Sequence, residues 1–325
     1  MPVPQPVGRA VAMPILAAIM LLVIQLSPSK AAESDPAALD LVREQRVARI
    51  GYRLAQAAVV GCDRAEPMTG MGLHDVGSYA EAYRLAIRNK YDIGNSFGIR
   101  FVVPGSAADK AGLRPGDEIV ALDGRMLDNF AADRIGRDAS PARTELFVTT
   151  LREALAQGPV SVTVRRAGTD ITTQLAPDRG CATRFVVATD TTLNAWSDGG
   201  AVAVTVRLVD FVHTDDELAF VIAHEMEHDI LHHAERTHGH SPFLASFGVG
   251  AATIKATEVE ADRFAVRLML RAGYDPLAGE AFLRRFSRAR GPALALTHPG
   301  TERRVALIRA EAEAEGQPNR TSVKQ

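Results

Sequence analysis

The stretch from Val221 to His233, "VIAHEMEHDILHH", contains two histidines four residues apart, His224 and His228, with Glu225 directly after the first. Residues four apart lie on one face of an α-helix, so both imidazoles project in the same direction. This spacing allows one tetrahedral zinc ion to take both rings, with Glu225 near enough to act as a general base. By itself, the short pattern also fits a solvated helix that happens to carry these residues.

The residues around this pattern favour the metal site. The preceding run "ELAFVIA" is apolar and predicts a packed helix, which Thr214 and Glu217 open as a capping box. The longer zinc pattern with a third histidine is absent, because Leu231 and Ala234 stand where glycine and histidine are required. A third ligand must therefore come from another segment.

The segment from Thr257 to Pro276, "TEVEADRFAVRLMLRAGYDP", supplies this ligand. Glu258 and Asp262 are four apart on one helical face, which predicts that Glu258 binds zinc and Asp262 orients a ligand imidazole. Glu260 points off this face and is predicted to have no role at the metal. The expected cofactor is one zinc ion per chain, held by Glu258 and the two histidines.

The pattern of the whole chain predicts an α+β fold. Apolar residues at helical spacing predict a first helix over residues 36–60, and later helices near residues 143–156, 257–272, 277–290 and 301–314. Short β-rich runs between residues 92 and 178 predict a small β-barrel-like module with two helices. Two further strands are expected at "RFVVATD" and "AVAVTVRLVDF", residues 184–190 and 201–211.

Composition limits the functions to consider. A chain of 325 residues with 46% hydrophobic and 23% charged residues suffices for about two domains. The net charge of −2 gives no basic field, so nucleic acid is not an expected partner.

The N-terminus has the order of an export signal. Arg9 precedes an apolar run from Val11 to Leu26, and "SPSKAAES" then predicts cleavage near Ala31. The run is shorter than the ~20 residues of a comfortable membrane span. Residues 1–32 are interpreted as a signal peptide, with an N-terminal membrane anchor through residues 11–26 as the alternative. The expected location is the periplasm or cell envelope.

Three segments together resemble the gluzincin metallopeptidases of the HtpX and CAAX-prenyl-protease type, family forty-eight of the metallopeptidases. They are "AHEMEH", "EVEADRFAVRLMLRAGYDP" and "THPGTERRV", and "NAWSDGGAVAVTVRLVDF" is similar to the family's Asn-Ala-aromatic segment and the edge strand after it. The resemblance implies a mainly helical zincin-type domain with a small sheet, the three zinc ligands named above, and Glu225 as catalytic base. It also implies a role in the cleft for His298, which would hold the oxyanion or gate access, with Arg304 at the family's basic position.

The segment "FVVPGSAADKAGLRPGDEIVALDGR", residues 101–125, is similar to a bacterial PDZ domain. This resemblance implies binding of C-terminal or extended peptides by strand addition, with backbone N–H groups holding the carboxylate. The predicted carboxylate loop contains Phe97, Gly98 and Ile99, a departure from the family's usual Gly-Leu-Gly-Phe. A PDZ domain that acts only as a spacer is the alternative.

The two resemblances imply an inserted domain. The expected division is residues 33–65 for the first peptidase helix, 76–180 for the PDZ domain and 181–325 for the metallopeptidase domain. Cys62 and Cys181, the two cysteines of the chain, flank this insertion. Because the ends of an inserted domain usually lie close together, and because export permits oxidation, we predict a disulfide between them. Two unrelated buried thiols are the alternative.

The sequence thus predicts an exported zinc metalloendopeptidase that hydrolyses unfolded or exposed polypeptides. An edge strand around Ala201–Arg207 is expected to align the substrate by β-addition. The alternative is a non-proteolytic PDZ adaptor or chaperone with a structural zinc, which would require a fourth protein ligand.

Overall fold

The computed structural model describes residues 36–231, 251–290 and 300–316. The predicted signal or anchor, residues 1–32, lies outside these ranges, and so does His298. Among the helices of the described ranges, none is both long enough and apolar enough to cross a membrane.

Helices and strands both contribute to the fold. The helices are α1 (Pro36–Ala58), α2 (Arg84–Tyr91), α3 (Ala107–Lys110), α4 (Ala142–Gln157), α5 (Val206–Phe211), α6 (Asp215–Ile230), α7 (Ala251–Ala272), α8 (Ala278–Arg290) and α9 (Thr301–Gly316). The strands are β1 (Ala65–Met68), β2 (Met71–His74), β3 (Phe97–Val102), β4 (Glu118–Leu122), β5 (Arg125–Met126), β6 (Val160–Arg166), β7 (Thr169–Leu175), β8 (Asp178–Cys181), β9 (Arg184–Ala188), β10 (Ala195–Ser197) and β11 (Ala201–Thr205). The predicted α+β class is confirmed.

The described strands form three open sheets. One pairs β1 with β8, the second has the order β2-β3-β4-β6-β7 with β5 beside β4, and the third has the order β10-β11-β9. The second sheet is antiparallel throughout, whereas β9 and β11 are parallel.

Two separate hydrophobic cores organise these elements. The first joins Ile50 and Leu54 of α1 to buried residues between Cys181 and Ile308. The second lies between Phe97 and Leu175 in sequence and includes buried side chains of the six-stranded sheet and of α4. The chain therefore leaves the first core after α1 and returns to it at β8.

A disulfide closes the neck between the two cores. Cys62 and Cys181 are bonded, with Cα atoms 5.6 Å apart across 119 residues of sequence. Beside the bond, β1 pairs antiparallel with β8, and Ala65 lies opposite Cys181. The predicted pairing of the two cysteines is present in the structure.

The six-stranded sheet begins earlier than the sequence pattern predicts. β2 pairs antiparallel with β3, so the sheet starts before the predicted domain boundary at residue 76. The glycines and proline of residues 61–72, "GCDRAEPMTGMG", are typical of a break between elements rather than of strands. β1 and β2 become strands because their backbone groups find partners far along the chain, on β8 and β3.

The predicted strand over residues 201–211 divides into two elements. β11 ends at Thr205, whose hydroxyl accepts the N–H of Leu208 and caps α5. β11 lies between β10 and β9, and both of its edges are hydrogen-bonded. The prediction of a substrate-aligning edge at Ala201–Arg207 is therefore wrong.

Candidate metal centre and peptide groove

The candidate metal ligands lie on α6 and α7, two helices packed within the first core. Both helices carry fully buried alanines, and small side chains allow helices to approach closely. These are Ala219 and Ala223 on α6 and Ala261 and Ala265 on α7.

The start of α6 is held by polar contacts. The hydroxyl of Thr214 accepts the N–H of Glu217 at 3.2 Å, as the predicted capping box requires. The carboxylate of Glu217 instead accepts the N–H of His213 at 2.7 Å and two bonds from the guanidinium of Arg285. Glu217 thus caps the helix and also attaches it to α8.

Three donor atoms converge where α6 meets α7. Nε2 of His224 lies 3.4 Å from Nε2 of His228 and 3.4 Å from Oε2 of Glu258. Nε2 of His228 lies 3.7 Å from Oε1 of Glu258. One ligand atom from each residue falls within 4.8 Å of the other two. The structure thus brings together the three predicted ligands.

This spacing fits a zinc ion. Bonds of 2.0–2.1 Å in a tetrahedral site place neighbouring ligand atoms about 3.3 Å apart. The observed separations of 3.4 to 3.7 Å are close to that value. Two imidazoles and one carboxylate are also the donor set of catalytic zinc sites with one open position.

Asp262 and Arg304 support His224 from behind. Oδ1 of Asp262 lies 3.2 Å from Nδ1 of His224, opposite the nitrogen that faces the other ligands. The Arg304 guanidinium donates two bonds, of 2.7 and 2.6 Å, to the Asp262 carboxylate. Asp262 is completely buried, and the nearby Arg304 charge holds the pKa of Asp262 below its usual value against the effect of burial. The pair orients the imidazole from within the core.

His224 and Glu225, which are neighbours in sequence, both have pKa values above the ordinary ones. Burial raises the pKa of Glu225 to about 7, and the nearby Glu258 carboxylate adds to the increase. Burial disfavours the charged form of His224, but its bonds to Asp262 and Glu258 outweigh this and raise the pKa of His224 to about 10.

Glu225 and His224 form one side of an apolar pocket. The other lining side chains include three phenylalanines and three aliphatic residues, namely Phe220, Phe282, Phe286, Leu208, Val221 and Leu283. Arg290 and Arg304 also line the pocket, and Asn194 and Ala195 place β10 beside Glu225. Arg290 donates a 2.8 Å bond to the carbonyl of Leu193 and so ties the end of α8 to the start of β10. The strand edge beside the candidate metal is therefore β10.

A second cleft lies between β2 and α4. Its apolar walls are Met71 and Leu73 on the strand and Val148, Leu151 and Leu155 on the helix. β3 occupies one side of β2, and no other strand of the described chain pairs with the second side. A strand edge beside a helix is the arrangement to which an extended peptide adds as a further strand.

A buried ion pair connects the strand and the helix of this groove. Arg143, at the start of α4, lies 2.9 Å from Asp75, the residue after β2, and both side chains are completely buried. Arg143 also donates to the carbonyls of Phe130, Asn95 and Leu127. The ion pair thereby joins the end of β2 to the start of α4.

The predicted carboxylate loop is wrong. Phe97, Gly98 and Ile99 lie in β3, between β2 and β4, and are buried there. Their backbone groups belong to the interior of the sheet, so they cannot hold a peptide carboxylate.

The turn before β2 instead leads into the strand that has the open edge. Gly70 has φ +72°, and a Cβ at this residue would lie 2.3 Å from that of Ser106, so glycine is needed. The run from Gly70 to Leu73 reads Gly-Met-Gly-Leu, which is closer to Gly-Leu-Gly-Phe than the predicted loop. This was the signal in the sequence that could have located the groove.

The remaining predicted residues are placed as follows. Glu260 lies on α7 outside the group of converging ligands. The positioning residue Arg304 is separated by 42 residues from its partner Asp262.

A histidine pair and a glutamate on two packed helices, with a further glutamate beside them, define a zincin-type metallopeptidase site.

Comparison with known proteins identifies two domains. Residues 169–257 and 237–312 match the model of peptidase family M48, and residues 98–150 match that of the PDZ domain. The chain therefore carries a peptidase family M48 domain and a PDZ domain.

Individual relatives match over parts of the chain. The mitochondrial metalloendopeptidase OMA1 of Schizosaccharomyces pombe is 29% identical over 38% of this chain. The match spans 44% of that relative, less than half of its length. A crystal structure of the HtrA3 PDZ domain bound to a phage-derived ligand (FGRWV) is 20% identical and covers 36% of this chain and 89% of its own, with a TM-score of 0.26.

Proposed function

We propose that this chain is a zinc-dependent metalloendopeptidase that hydrolyses peptide bonds of unfolded or exposed polypeptides. The observation that carries the proposal is the convergence of His224, His228 and Glu258 next to Glu225 at an apolar pocket. A bound zinc ion would supply polarisation of the scissile carbonyl and acidification of a water molecule.

Glu225 performs the proton transfers. Its carboxylate accepts a proton from the attacking water and then returns that proton to the nitrogen of the leaving amine. Burial beside the pocket raises the pKa of Glu225 to about 7.

The substrate backbone adds to β10. This strand is at the edge of its sheet and adjoins the pocket that contains Glu225. Because only an extended backbone with free N–H and C=O groups can pair with a strand edge, unfolded segments are the expected substrates. The phenylalanines of the pocket then favour a large apolar side chain next to the scissile bond.

The PDZ domain extends this function to peptide recognition. The groove between β2 and α4 binds C-terminal or extended peptides and so recruits or regulates the peptidase. Its exposed strand edge and apolar walls support this assignment.

The cell envelope is the proposed location. The order of basic, apolar and small residues at the N-terminus supports export. The disulfide supports it further, because such bonds persist in oxidising compartments such as the bacterial periplasm.

The adaptor with a structural zinc is less well supported. A closed structural site takes four protein ligands, and the described residues bring three donors together. A closed structural site needs no base, whereas hydrolysis requires one, and Glu225 lines the pocket directly after the ligand His224.

The test is degradation of casein, an unfolded protein, by the purified chain with and without a chelator. Glu225→Gln should keep bound zinc and lose hydrolysis by ~10²–10⁴-fold, because an amide cannot accept the proton. Glu260→Gln is the matched control and should retain activity. Undiminished hydrolysis by Glu225→Gln, or by the chelated protein, would refute the proposal.

A further inference from the structure

The peptide groove is not enclosed by the PDZ domain alone. Its lining also includes residues from the segments beside the disulfide and from the first core, which is the peptidase core. They are Arg64, Ala182, Thr183, Arg184 and Gly200. We infer that the groove is a composite site for an extended polypeptide with a free C-terminal carboxylate, and that the peptidase core forms its second wall and responds to the bound peptide. This inference rests on the peptide binding proposed above and is independent of proteolysis.

The charges around the groove suit such a ligand. Three arginines, Arg64, Arg152 and Arg184, line it against two glutamates, Glu66 and Glu145. Each arginine already has an acidic neighbour: Arg152 is paired with Glu66, Arg184 with Glu145, and Arg64 lies 3.9 Å from Asp63. Because these pairs are at the surface and screened by water, a peptide carboxylate can compete for the arginines, whereas an amide cannot. The apolar side chains of β2 and α4 favour an apolar last residue.

An ion pair connects the two walls. Nη1 of Arg184, the first residue of β9, lies 3.7 Å from Oε1 of Glu145 on α4. Both side chains are mostly exposed, at 62% and 59%, so water screens the pair and it opens at little cost. A peptide that enters the groove can therefore take the place of Glu145 beside Arg184.

The peptidase wall leads directly to the strand beside the metal site. The N–H of Arg184 donates to the carbonyl of Gly200 at 2.9 Å. Arg64 donates from Nη2 to the carbonyl of Gly199 at 3.0 Å. Arg64 through its side chain and Arg184 through its backbone N–H thus contact the turn Asp198–Gly200, which joins β10 to β11.

The same turn is attached to the metal-binding helix. The N–H of Gly199 donates to Oδ1 of Asp229 at 2.8 Å, and Asp229 is buried directly after the ligand His228 on α6. One turn therefore contacts the groove arginines on one side and α6 on the other. A peptide that engages Arg64 and Arg184 restrains this turn, and with it β10.

The test reads binding and amide exchange rather than cleavage. The probe is a labelled ten-residue peptide that ends in valine, with its C-terminal amide as the matched ligand, added to metal-loaded full-length Glu225→Gln protein. Fluorescence anisotropy gives the affinity, and hydrogen exchange gives protection of residues 195–205. The acid should bind more tightly than the amide and should slow exchange at Gly199 about 5-fold or more.

Variants separate the two walls. Arg64→Ala and Arg184→Ala should each weaken binding about 5-fold, and Val148→Arg, which fills the groove, should abolish binding. Arg207→Ala, an exposed arginine outside the groove, is the control and should bind normally. Unchanged affinity in both arginine variants, unchanged exchange at Gly199, or no binding of the peptide would each overturn the inference. None of these results depends on whether casein is degraded.

Discussion

The buried ion pair behind the metal site gives the most demanding test of the structure. Asp262 is completely buried, accepts two bonds from Arg304, and faces Nδ1 of His224. The change Asp262→Asn keeps the shape of the side chain but removes its charge. It removes the carboxylate to which Arg304 bonds directly inside the core, and it weakens the contact that orients His224.

Two magnitudes follow from this geometry. Breaking a buried pair by neutralising one partner costs about 3–5 kcal/mol of unfolding free energy, because the remaining charge stays desolvated. Loss of the partner behind a ligand histidine weakens metal binding about 10–100-fold. Asp262→Asn should show both effects.

A double variant separates stability from orientation. In Asp262→Leu with Arg304→Met, apolar side chains replace both charges, and such replacements are often close to neutral in stability. We expect the double variant to recover most of the unfolding free energy of the parent. Its metal affinity should stay low, because the carboxylate that faces His224 is still missing.

The assays are urea unfolding in chelator and zinc titration against a chromophoric competitor. Trp196, the single tryptophan of the chain, lies on β10, so its fluorescence reports unfolding of the peptidase core. A destabilisation below about 1 kcal/mol in Asp262→Asn would contradict a buried and essential pair. Full recovery of zinc affinity in the double variant would show that the pair acts through stability alone.

Three further predictions follow from other parts of the structure. Elemental analysis should show that Glu258→Ala loses bound zinc and that Glu260→Ala retains it, because only Glu258 converges with the histidines. The reverse result would identify Glu260 as the ligand. Burial lowers the pKa of His74 from 6.5 to about 4, so the His74 imidazole binds a proton more tightly in the unfolded chain than in the folded one. The free energy of unfolding should therefore fall by about 3 kcal/mol from pH 7 to pH 4. Unfolding of His74→Asn at both pH values should lack that part of the decrease, and an equal decrease in the two proteins would exclude His74 as its source. Replacing Cys62 and Cys181 by serine should cost about 4 kcal/mol in chemical unfolding, because their bond closes a loop across 119 residues, and parent-like stability would contradict this.

The metal site could be predicted largely from local sequence. His224 and His228 share a helical face because helix geometry depends on residues three and four apart. The same rule placed Glu258 and Asp262 together on a second helix. What the pattern did not contain was the packing of α6 against α7, which places Glu258 within 3.4 Å of His224.

The strand edges could not be predicted in the same way. A β-strand is completed by hydrogen bonds to another segment, so its edge is known only when its neighbours are known. The apolar pattern of residues 201–205 marked a strand, but the pairing with β9 and β10 made it central and left β10 at the edge. Residues 97–99 similarly became interior when β2 paired with β3.

Local sequence therefore indicated the long helices, their ligand faces, the presence of a PDZ module and the pair of cysteines that flank it. Tertiary structure alone decided which strand adjoins the metal, where the peptide groove opens, and that Arg64 and Arg184 reach it. The physical reason is the range of the interactions. Helical hydrogen bonds form within one segment and leave a periodic pattern, whereas sheet edges and grooves depend on contacts between separate segments, some of them more than a hundred residues apart.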